Sequence, residues 1–536
     1  MHHDTIEQAP APLRARALPQ MIKRSGGERM AVQSRPSQQF LSEPESSVSP
    51  TGEPIGARHG CGVPGKRTKI VATVGPASQH PDVLRGMVLA GLDVVRLNFS
   101  HGDHAAHATV IETVRRVSEE SGVPVAVLGD LRGPRIRVGE IEGGTMTLEV
   151  GQPLVLTPES TVGNARCVSI SFPGLAGDLK PGDLLLVDDG DVKLEVKKLG
   201  TSGDIYCRVA EGGTLSSRRG INLPGIRVSL PSVTEKDEQD VAFAVEQGMD
   251  FLALSFVQSG DDVRSLKGLL TRLGADIPII AKIEKESALD DIDAIIQEAY
   301  GVMIARGDLA LEMSFQDVPV AQKRIITECR AAAVPVITAT QMLESMMTDT
   351  HPTRAEATDV ANAVFDGTDA LMLSGETAIG QHPIESVATM AAIAARAELA
   401  WLNHEVAEPP GLPPASGIDS TIAYLSCVAA QHLKVAAVVT YTRSGGTARR
   451  VCSHRPPMPI LALTPEPVTR RRLALSWGVW PVLSREIHHL AEVSQDAIEQ
   501  AHGCGLAGPG DNVVITAGTP FGATGRTNLL KVECVP

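Results

Sequence analysis

Short apolar segments recur along the chain, and nearly all of them end on polar, charged or hydroxyl residues. The eight segments are 70–73, 94–95, 125–128, 251–254, 279–280, 302–304, 334–337 and 370–373. Apolar segments that alternate with helical stretches predict the strands of parallel βαβ units. Eight such units predict a (β/α)₈ barrel, in which catalytic groups gather at the C-terminal ends of the strands. The polar strand ends therefore indicate an enzyme.

The barrel pattern is interrupted after the third segment. Between residues 139 and 229, short Val- and Leu-rich stretches are broken by Gly, Pro and Asp, which predicts a small β domain. This insertion leaves the barrel through a strand-to-helix loop, on the face that carries the polar strand ends, so it is a candidate lid. We therefore assign residues 67–138 and 230–405 to the barrel and residues 139–229 to the lid.

The two ends of the chain differ from the barrel. Residues 1–66 are rich in Pro, Ser, Arg, Glu and Gln without sustained periodicity, which predicts a disordered extension. Residues 406–417 are Pro-rich and predict a linker. Beyond the linker, apolar segments at 436–440, 460–463 and 513–516 alternate with helical stretches. Residues 418–536 are therefore predicted to form a C-terminal α/β domain with a regulatory role.

Composition limits the partners and the location. The chain has 49 Lys and Arg against 63 Asp and Glu, and its net charge of −14 disfavours nucleic acid or an anionic membrane as the main partner. Its eight cysteines are scattered without the close spacing of a zinc or redox pair, so free thiols and a cytoplasmic location are expected. No apolar run approaches the roughly 20 residues of a membrane-spanning helix.

The strongest candidate for chemistry combines Lys282 and Glu284 with Gly307 and Asp308. Residues two apart in a strand point to the same side, so Lys282 and Glu284 face one pocket. Two carboxylates from neighbouring strand ends suit Mg²⁺, which takes one or two protein carboxylates together with phosphate oxygens and waters. Lys282 adds a positive charge for a polyanion, and the backbone N–H groups of Gly307 and Asp308 at a helix start suit an anion. Ordinary ion pairs at the barrel mouth are the alternative interpretation.

A second polar set lies on the loops that follow the second and third predicted strands. Its members are Arg96, Asn98, Ser100 and His101 on the first loop, and Asp130, Arg132, Arg135 and Arg137 on the second. Arg96 suits bidentate recognition of a phosphoryl group, and the side chains of Asn98 and Ser100 suit a cation or a phosphate. Together the two loops predict a surface that handles phosphate, although His101 alone is more typical of a solvated loop.

Two further segments carry hydroxyl groups. Thr340 ends the seventh strand, where it either serves the structure or contacts a substrate and relays a proton. In the C-terminal domain, residues 441–447 follow a strand and precede a helix, so their hydroxyls, glycines and N–H groups suit a phosphate. A capped turn explains this segment equally well, and it lacks the Gly-Lys-Ser/Thr ending of a P-loop.

Several long motifs make the chain resemble the pyruvate kinase family from about Lys66 to the C-terminus. They are TKIVATVGPAS from Thr68, VVRLNFSHG from Val94, RRGINLPG from Arg218, AKIEK from Ala281, ARGDLA from Ala305, TATQMLESM from Thr338, HPTRAEATDVANAV from His351 and LSGETA from Leu373. The family has a barrel, an inserted β lid and a C-terminal α/β domain. The resemblance implies transfer of the phosphoryl group of phosphoenolpyruvate to ADP, giving pyruvate and ATP in the last step of glycolysis.

The resemblance also implies roles for particular residues. Lys282 would stabilise the charge on the phosphoryl group and on the enolate, and Thr340 would lie near the carbon that is protonated. The substrate would contact Arg96, Lys282, Gly307, Asp308 and Thr340. Glu284 and Asp308 would hold Mg²⁺ or Mn²⁺. The nucleotide would contact Asn98, Phe99, Ser100, His101, Arg137 and Arg219, with Arg219 in the place of the family's usual Lys. Phosphoryl transfer depends mainly on such positioning and on cations.

One departure from the family pattern concerns a monovalent cation. The positions that match the family's K⁺ site are Asn98, Ser100, Asp130 and Leu131. Members that need K⁺ resemble a pattern with Thr at the Leu131 position and Glu at the Arg135 position, whereas members with Lys at the latter dispense with K⁺. We hypothesise that the Arg135 guanidinium supplies the missing positive charge.

The resemblance extends to regulation and assembly. Thr442, Arg443, Ser444, Gly445 and Thr447 match a sugar-phosphate effector loop, and Arg526 in the last loop could reach the same ligand. The family usually assembles as a homotetramer, through which an effector could act between subunits.

Two other functions compete with the kinase. A Mg²⁺-dependent barrel lyase or mutase acting on an enolate would need the same Lys and carboxylates but no lid for a nucleotide. A catalytically weak relative that binds metabolites as a regulator would be expected to have lost Lys282, Glu284, Asp308 or Thr340, and all four are present.

Overall fold

The protein is described here from a computed structural model. The structure describes residues 58–59, 63–188, 190–403, 417–520 and 525–536. The predicted N-terminal extension, 1–66, and the predicted linker, 406–417, therefore lie almost entirely outside the described residues. Where the described chain begins, Lys66 is buried and its Nζ pairs with Asp93 Oδ2 at 2.5 Å.

The first third of the barrel follows a short antiparallel pair of strands. The elements are β1 (Arg58–His59), β2 (Val63–Pro64), β3 (Lys69–Thr73), α1 (Pro81–Ala90), β4 (Val94–Asn98), α2 (His104–Ser121) and β5 (Ala126–Asp130). The strands β3 and β5 are buried at every position, as expected for parallel strands that are covered on both faces. Helix α1 ends at Gly91, which has a φ of 118° and so favours glycine.

A β insertion separates β5 from the rest of the barrel. Its elements are β6 (Thr145–Leu148), β7 (Pro153–Thr157), β8 (Cys167–Ser169), α3 (Leu175–Asp178), β9 (Leu184–Val187), β10 (Val192–Leu199), β11 (Ile205–Glu211), β12 (Gly213–Ser216) and β13 (Ile221–Asn222). Six strands form one sheet in the order β13-β9-β10-β11-β7-β8, and β12 pairs with β6. Buried and exposed positions alternate along β11, so the insertion has an apolar core of its own.

The remaining barrel units follow the insertion. They are α4 (Glu235–Glu246), β14 (Phe251–Leu254), α5 (Gly260–Arg272), β15 (Ile279–Ile283), α6 (Ser287–Asp290), α7 (Ile292–Glu298), β16 (Gly301–Ala305), α8 (Arg306–Glu312), α9 (Val318–Ala331), β17 (Val336–Ala339), α10 (Arg354–Asp366), β18 (Ala370–Leu373), α11 (Gly375–Ala378) and α12 (Pro383–Leu402). The eight parallel strands close in the order β14-β15-β16-β17-β18-β3-β4-β5. The predicted (β/α)₈ barrel is confirmed.

The C-terminal region forms an α/β sheet. Its elements are α13 (Ile418–Leu433), β19 (Ala437–Tyr441), α14 (Gly446–Ser453), β20 (Ile460–Thr464), α15 (Pro467–Arg472), β21 (Val479–Leu483), α16 (Leu490–Gly503), β22 (Asn512–Ala517) and β23 (Leu529–Cys534). The strand order is β21-β20-β19-β22-β23, with β23 antiparallel to β22. This confirms the predicted C-terminal α/β fold.

The C-terminal region packs against the N-terminal ends of the barrel strands. Arg455 Nη1 lies 3.1 Å from Asp369 Oδ1, and Asp369 directly precedes β18. Arg471 Nε donates to Asp250 Oδ1 at 2.7 Å, and Asp250 directly precedes β14. Buried ion pairs thus join the two domains at the end of the barrel opposite the polar strand ends.

Two negative findings concern the described residues. Seven cysteines fall within them, and all seven are free of disulfides. In the same part of the chain, no helix combines the length and the apolar character that crossing a membrane requires.

Candidate active site

Lys282 is the centre of a buried polar cluster at the C-terminal ends of the barrel strands. Its Nζ donates to Ser255 Oγ at 2.7 Å, lies 2.8 Å from Glu284 Oε1 and lies 3.2 Å from Asp130 Oδ1. Three neighbouring strands supply these groups, since Asp130 ends β5, Ser255 follows β14 and Lys282 lies in β15. The structure thus brings Lys282 and Glu284 to one pocket, as their spacing in the sequence predicted.

Arg96 joins the same cluster from β4. Its Nε donates to Asp130 Oδ2 at 2.6 Å, and its Nη1 donates to Thr73 Oγ1 at 2.8 Å. Asp130 therefore pairs with two cationic side chains, since one carboxylate oxygen accepts a hydrogen bond from Arg96 and the other forms an ion pair with Lys282. Such charge-assisted contacts hold the donors in fixed directions. The two cations consequently face the barrel mouth in a set position before any ligand binds.

Burial and charge shift the pKa values of this cluster in a definite pattern. Burial favours the neutral form of Asp130, but the charges of Lys282 and Arg96 outweigh it and hold the pKa of Asp130 below its ordinary value. Burial likewise opposes the charge of Lys282, but Asp130 and Glu284 raise its pKa above the ordinary value. Lys282 is therefore firmly cationic and Asp130 firmly anionic at neutral pH.

Glu284 and Asp308 form a pair of carboxylates beside Lys282. Burial raises the pKa of Glu284, and the charge of Asp308 adds to the rise, whereas Lys282 opposes it. Glu284 Oε2 also accepts the backbone N–H of Phe256 at 2.7 Å. A buried carboxylate next to a second one favours a cation between them, and Mg²⁺ takes such oxygen ligands. The donor set therefore fits a divalent cation.

The fit requires ligands beyond these two carboxylates. Among the residues that the structure describes, no group of three or more His, Cys, Asp or Glu side chains is placed to hold a metal ion. Mg²⁺ commonly completes its shell with waters and substrate phosphate oxygens. Two carboxylates therefore indicate a cation that is shared with a bound substrate.

Thr340 and Gly307 are in direct contact. The Thr340 hydroxyl donates to the Ala339 carbonyl at 2.6 Å and accepts the Gly307 N–H at 2.7 Å. Thr340 has a φ of 70°, a conformation that is unfavourable for a β-branched residue and frequent at functional sites. The predicted anion-binding N–H of Gly307 is thus engaged by Thr340, and a ligand at this N–H would have to share it.

The loop after β4 carries the predicted nucleotide contacts. Asn98 Oδ1 accepts the Ser100 N–H at 3.1 Å, and Ser100 and His101 are exposed at the barrel mouth. Phe99 differs from its neighbours, because its ring is buried edge-on against Phe243. Its side chain supports the loop from behind rather than facing a ligand.

Two arginines line a cleft between insertion and barrel, Arg219 from the insertion and Arg137 from the segment that leads into it. Arg219 Nε lies 3.3 Å from Asp188 Oδ1, and Arg137 Nη1 donates to the Arg218 carbonyl at 2.8 Å. Both Arg137 and Arg219 line this cleft. The structure therefore brings these two sequence-predicted residues to the rim of the barrel mouth.

Arg135 lies at the same rim. Its Nη2 is 3.3 Å from Asp308 Oδ1, and its guanidinium lies over the ring of Phe256. Leu131, at a position of the family's K⁺ site, is buried, and its carbonyl accepts the Ser255 hydroxyl at 2.8 Å. Asp130, at another such position, already holds Arg96 and Lys282. The positive charge of Arg135 thus reaches the carboxylate pair itself.

A second pocket lies in the C-terminal domain. It is lined by Thr442, Arg443, Ser444, Thr447 and Arg526 among others. Gly445 closes the turn with a φ of 85°, and its N–H donates to Thr442 Oγ1 at 2.9 Å. The structure therefore brings the loop and Arg526 to one pocket.

Sequence reasoning left several neighbours of the site without a role. In the sequence, Ser255 is only the polar residue after the apolar segment 251–254, yet its hydroxyl accepts a hydrogen bond from Lys282. Phe256 supports both Glu284 and Arg135, and its φ of 55° is unusual for a bulky residue. The signal was available for Ser255, which follows an apolar strand, but the contacts of Phe256 depend on side chains from other strands.

Comparisons with known proteins agree with this geometry. The model of the pyruvate kinase barrel domain matches residues 65–387, and that of the pyruvate kinase alpha/beta domain matches residues 420–533. Pyruvate kinase 2 of Synechocystis sp. is 45% identical over 88% of this chain and 79% of its own length. Pyruvate kinase of Clostridium acetobutylicum is 42% identical over 88% of this chain and its full length.

A solved structure gives the same result. The crystal structure of a pyruvate kinase from Cryptosporidium parvum superposes with a TM-score of 0.82 at 36% identity, covering 88% of this chain and 97% of that one. The chain therefore belongs to the pyruvate kinase family of phosphotransferases.

Proposed function

We propose that the cluster around Lys282 transfers the phosphoryl group of phosphoenolpyruvate to ADP. The observation that carries this proposal is the fixed set of cations at the barrel mouth, with Lys282 and Arg96 held on Asp130 beside the carboxylates Glu284 and Asp308. Transfer of a phosphoryl group needs little covalent help from the protein and depends on positioned positive charge. A site of this kind supplies that charge without reorganisation.

The individual roles follow from the contacts. Arg96 and Lys282 bind the phosphoryl oxygens, and Lys282 also offsets the charge that develops on the enolate oxygen when the phosphoryl group leaves. Glu284 and Asp308 hold Mg²⁺ or Mn²⁺, which when bound neutralises phosphoryl oxygens as a Lewis acid. Thr340, whose hydroxyl is held by Ala339 and Gly307, lines the face on which the enolate carbon gains its proton.

ADP occupies the rim between the barrel and the β insertion. Asn98, Ser100 and His101 contact it from the loop after β4, Arg137 contacts it where the chain leaves the barrel, and Arg219 contacts it from the insertion. Arg137 and Arg219 line one cleft between insertion and barrel, which supports their part of this placement. Movement of the insertion toward the barrel would exclude water from the reacting phosphoryl group.

We further propose that the enzyme works without K⁺. Arg135 provides a permanent positive charge 3.3 Å from Asp308, and the Asp130 carboxylate is already occupied by two cationic side chains. These contacts supply charge where related enzymes would use a bound monovalent cation.

The pocket at residues 442–447 supports a role in regulation. Arg443 forms ion pairs with Glu466 and Glu486. The helix α14 begins directly after the Gly445 turn, and Arg526 lines the same pocket. A sugar phosphate is the proposed effector, because hydroxyls, backbone N–H groups and arginines recognise phosphate.

Assembly into a homotetramer is proposed from the resemblance to the family, whose members usually form one. Light scattering of the purified enzyme measures the subunit number directly.

The activity is tested by measuring pyruvate formation from phosphoenolpyruvate and ADP with Mg²⁺. We expect the wild type to be active, and Lys282→Met to lose activity by at least about a hundredfold. Lys267→Met serves as the matched control, because Lys267 pairs with Glu298 on the outside of the barrel. Full activity in Lys282→Met would refute its role. A wild type that binds phosphoenolpyruvate without turning it over would instead favour the regulatory relative.

A further inference from the structure

Lys285 and Glu312 form a buried ion pair next to the proposed metal ligands. Lys285 Nζ lies 3.0 Å from Glu312 Oε1, and the two side chains are only 11% and 3% exposed. Buried charges of this kind cost free energy to remove from water and are stable only when they are paired. Both side chains also line the cleft between insertion and barrel. Their pairing with each other at such low exposure nevertheless needs an explanation of its own.

The position of the pair in the chain suggests that explanation. Lys285 directly follows Glu284 at the end of β15, and Glu312 follows Asp308 by one turn of α8. Residues four apart lie on the same side of a helix. The pair therefore bridges the same strand end and the same helix as the two carboxylates, one residue further along the strand and one turn further along the helix.

The two bridges act in opposite directions before a metal binds. Glu284 and Asp308 carry like charges and repel one another, a repulsion that Lys282 and Arg135 offset in part, and what remains favours separation of the strand end from α8. Lys285 and Glu312 carry opposite charges and attract. Because Glu284 and Asp308 belong to separate elements, an attraction between those elements holds the carboxylates close enough to share one cation.

A third contact ties the β insertion to this bridge. Asn222 Nδ2 donates to Glu312 Oε1 at 3.4 Å. Asn222 ends β13, the last strand of the insertion before the chain returns to the barrel. Glu312 therefore accepts contacts from both the barrel and the base of the insertion.

We propose that the Lys285–Glu312 pair is a positioning device for the divalent-cation site, which holds Glu284 and Asp308 at binding distance in the metal-free enzyme. The inference rests on the proposed assignment of these two carboxylates as metal ligands. Lys285 and Glu312 are engaged with each other, so the pair is expected to act on metal affinity rather than on the chemical step.

The test is a titration of the metal-free enzyme with Mn²⁺ in the absence of substrates. Electron paramagnetic resonance measures the concentration of unbound Mn²⁺ at each step. Lys285→Met removes the attraction, and the double variant Lys285→Met/Glu312→Leu removes it without leaving a buried charge unpaired. We expect both to bind Mn²⁺ about tenfold more weakly than the wild type. Because both residues line the cleft proposed for ADP, turnover is measured with Mn²⁺ and ADP both saturating. Under these conditions it is expected to stay near the wild-type value, so the effect separates metal affinity from chemistry.

Three controls keep the result interpretable. Lys285→Arg keeps the pair and Lys267→Met removes a lysine from an exposed ion pair, so both are expected to bind Mn²⁺ like the wild type. Glu284→Gln removes a proposed ligand and is expected to abolish binding. Wild-type affinity in Glu284→Gln would overturn the metal assignment and the inference with it. Loss of Mn²⁺ binding in Glu284→Gln, together with wild-type Mn²⁺ affinity in the folded double variant, would overturn the inference but leave the metal assignment standing.

Discussion

Replacing Arg135 by glutamate is expected to make the activity of this enzyme dependent on K⁺. The guanidinium of Arg135 lies 3.3 Å from Asp308 Oδ1, next to the proposed metal site. Glu at this position would replace a fixed positive charge by a negative one beside two carboxylates. The charge at this position would then change by two units, and a monovalent cation from solution would be needed to offset the added negative charge.

The expected magnitude follows from the distance and the exposure of the side chain. Arg135 is 44% exposed, so we use the dielectric constant of bulk water, which gives a lower bound on the interaction energy between Arg135 and Asp308. Two unit charges at 3.3 Å then interact by about 1.3 kcal/mol. Exchanging attraction for repulsion doubles this to about 2.5 kcal/mol, or roughly 70-fold in rate. Because the shorter Glu side chain stands farther from Asp308, we expect a loss of about tenfold to 70-fold.

The assay is pyruvate formation with Mg²⁺ in the presence of either K⁺ or tetramethylammonium. The wild type and Arg135→Lys should be equally active in both salts, whereas Arg135→Glu should recover most of its activity only in K⁺. Arg116→Glu makes the same change at an exposed position of α2, where Arg116 pairs with Glu120, and its activity should be the same in both salts. Strong K⁺ activation of the wild type, or full activity of Arg135→Glu in tetramethylammonium, would refute the reasoning.

Three other predictions concern the contact between the barrel and the C-terminal domain, and the pocket of the C-terminal domain. Asp369→Asn leaves the buried Arg455 without its counter-charge and should lower the free energy of unfolding by about 3–5 kcal/mol, which calorimetry detects as a lower midpoint, while the exposed Asp261→Asn should change it little. Burial and the charge of Arg455 lower the pKa of Arg330 to about 10, so its charge destabilises the fold at neutral pH and this cost fades only as pH rises past that value. Arg330→Met should therefore stabilise the protein at pH 7 by about 2 kcal/mol, and an unchanged midpoint would contradict this. Gly445→Ala places a Cβ in a left-handed turn 3.2 Å from Leu473 and should abolish any shift of the phosphoenolpyruvate saturation curve by sugar phosphates; a wild type that responds to none of them would leave the loop a structural turn.

The sequence by itself determined the barrel and most of the candidate site. Apolar strands fix which segments are buried, and parallel strands in a closed barrel bring all their C-terminal ends together. Residues such as Lys282 and Glu284 could therefore be placed in one pocket from their spacing of two along a strand. The K⁺ hypothesis also came from the sequence, because the substitution at Arg135 changes the sign of a charge.

Only the tertiary structure decided which side chains pair with one another. The contacts of Asp130 with Lys282, of Phe256 with Glu284 and of Lys285 with Glu312 join strands and helices that are far apart in the chain. The Gly307 N–H was predicted to be available to an anion, yet the Thr340 hydroxyl from the next strand engages it. Periodicity reports which side of an element a residue faces. The partner it meets there depends on the packing of other elements, which no local pattern encodes.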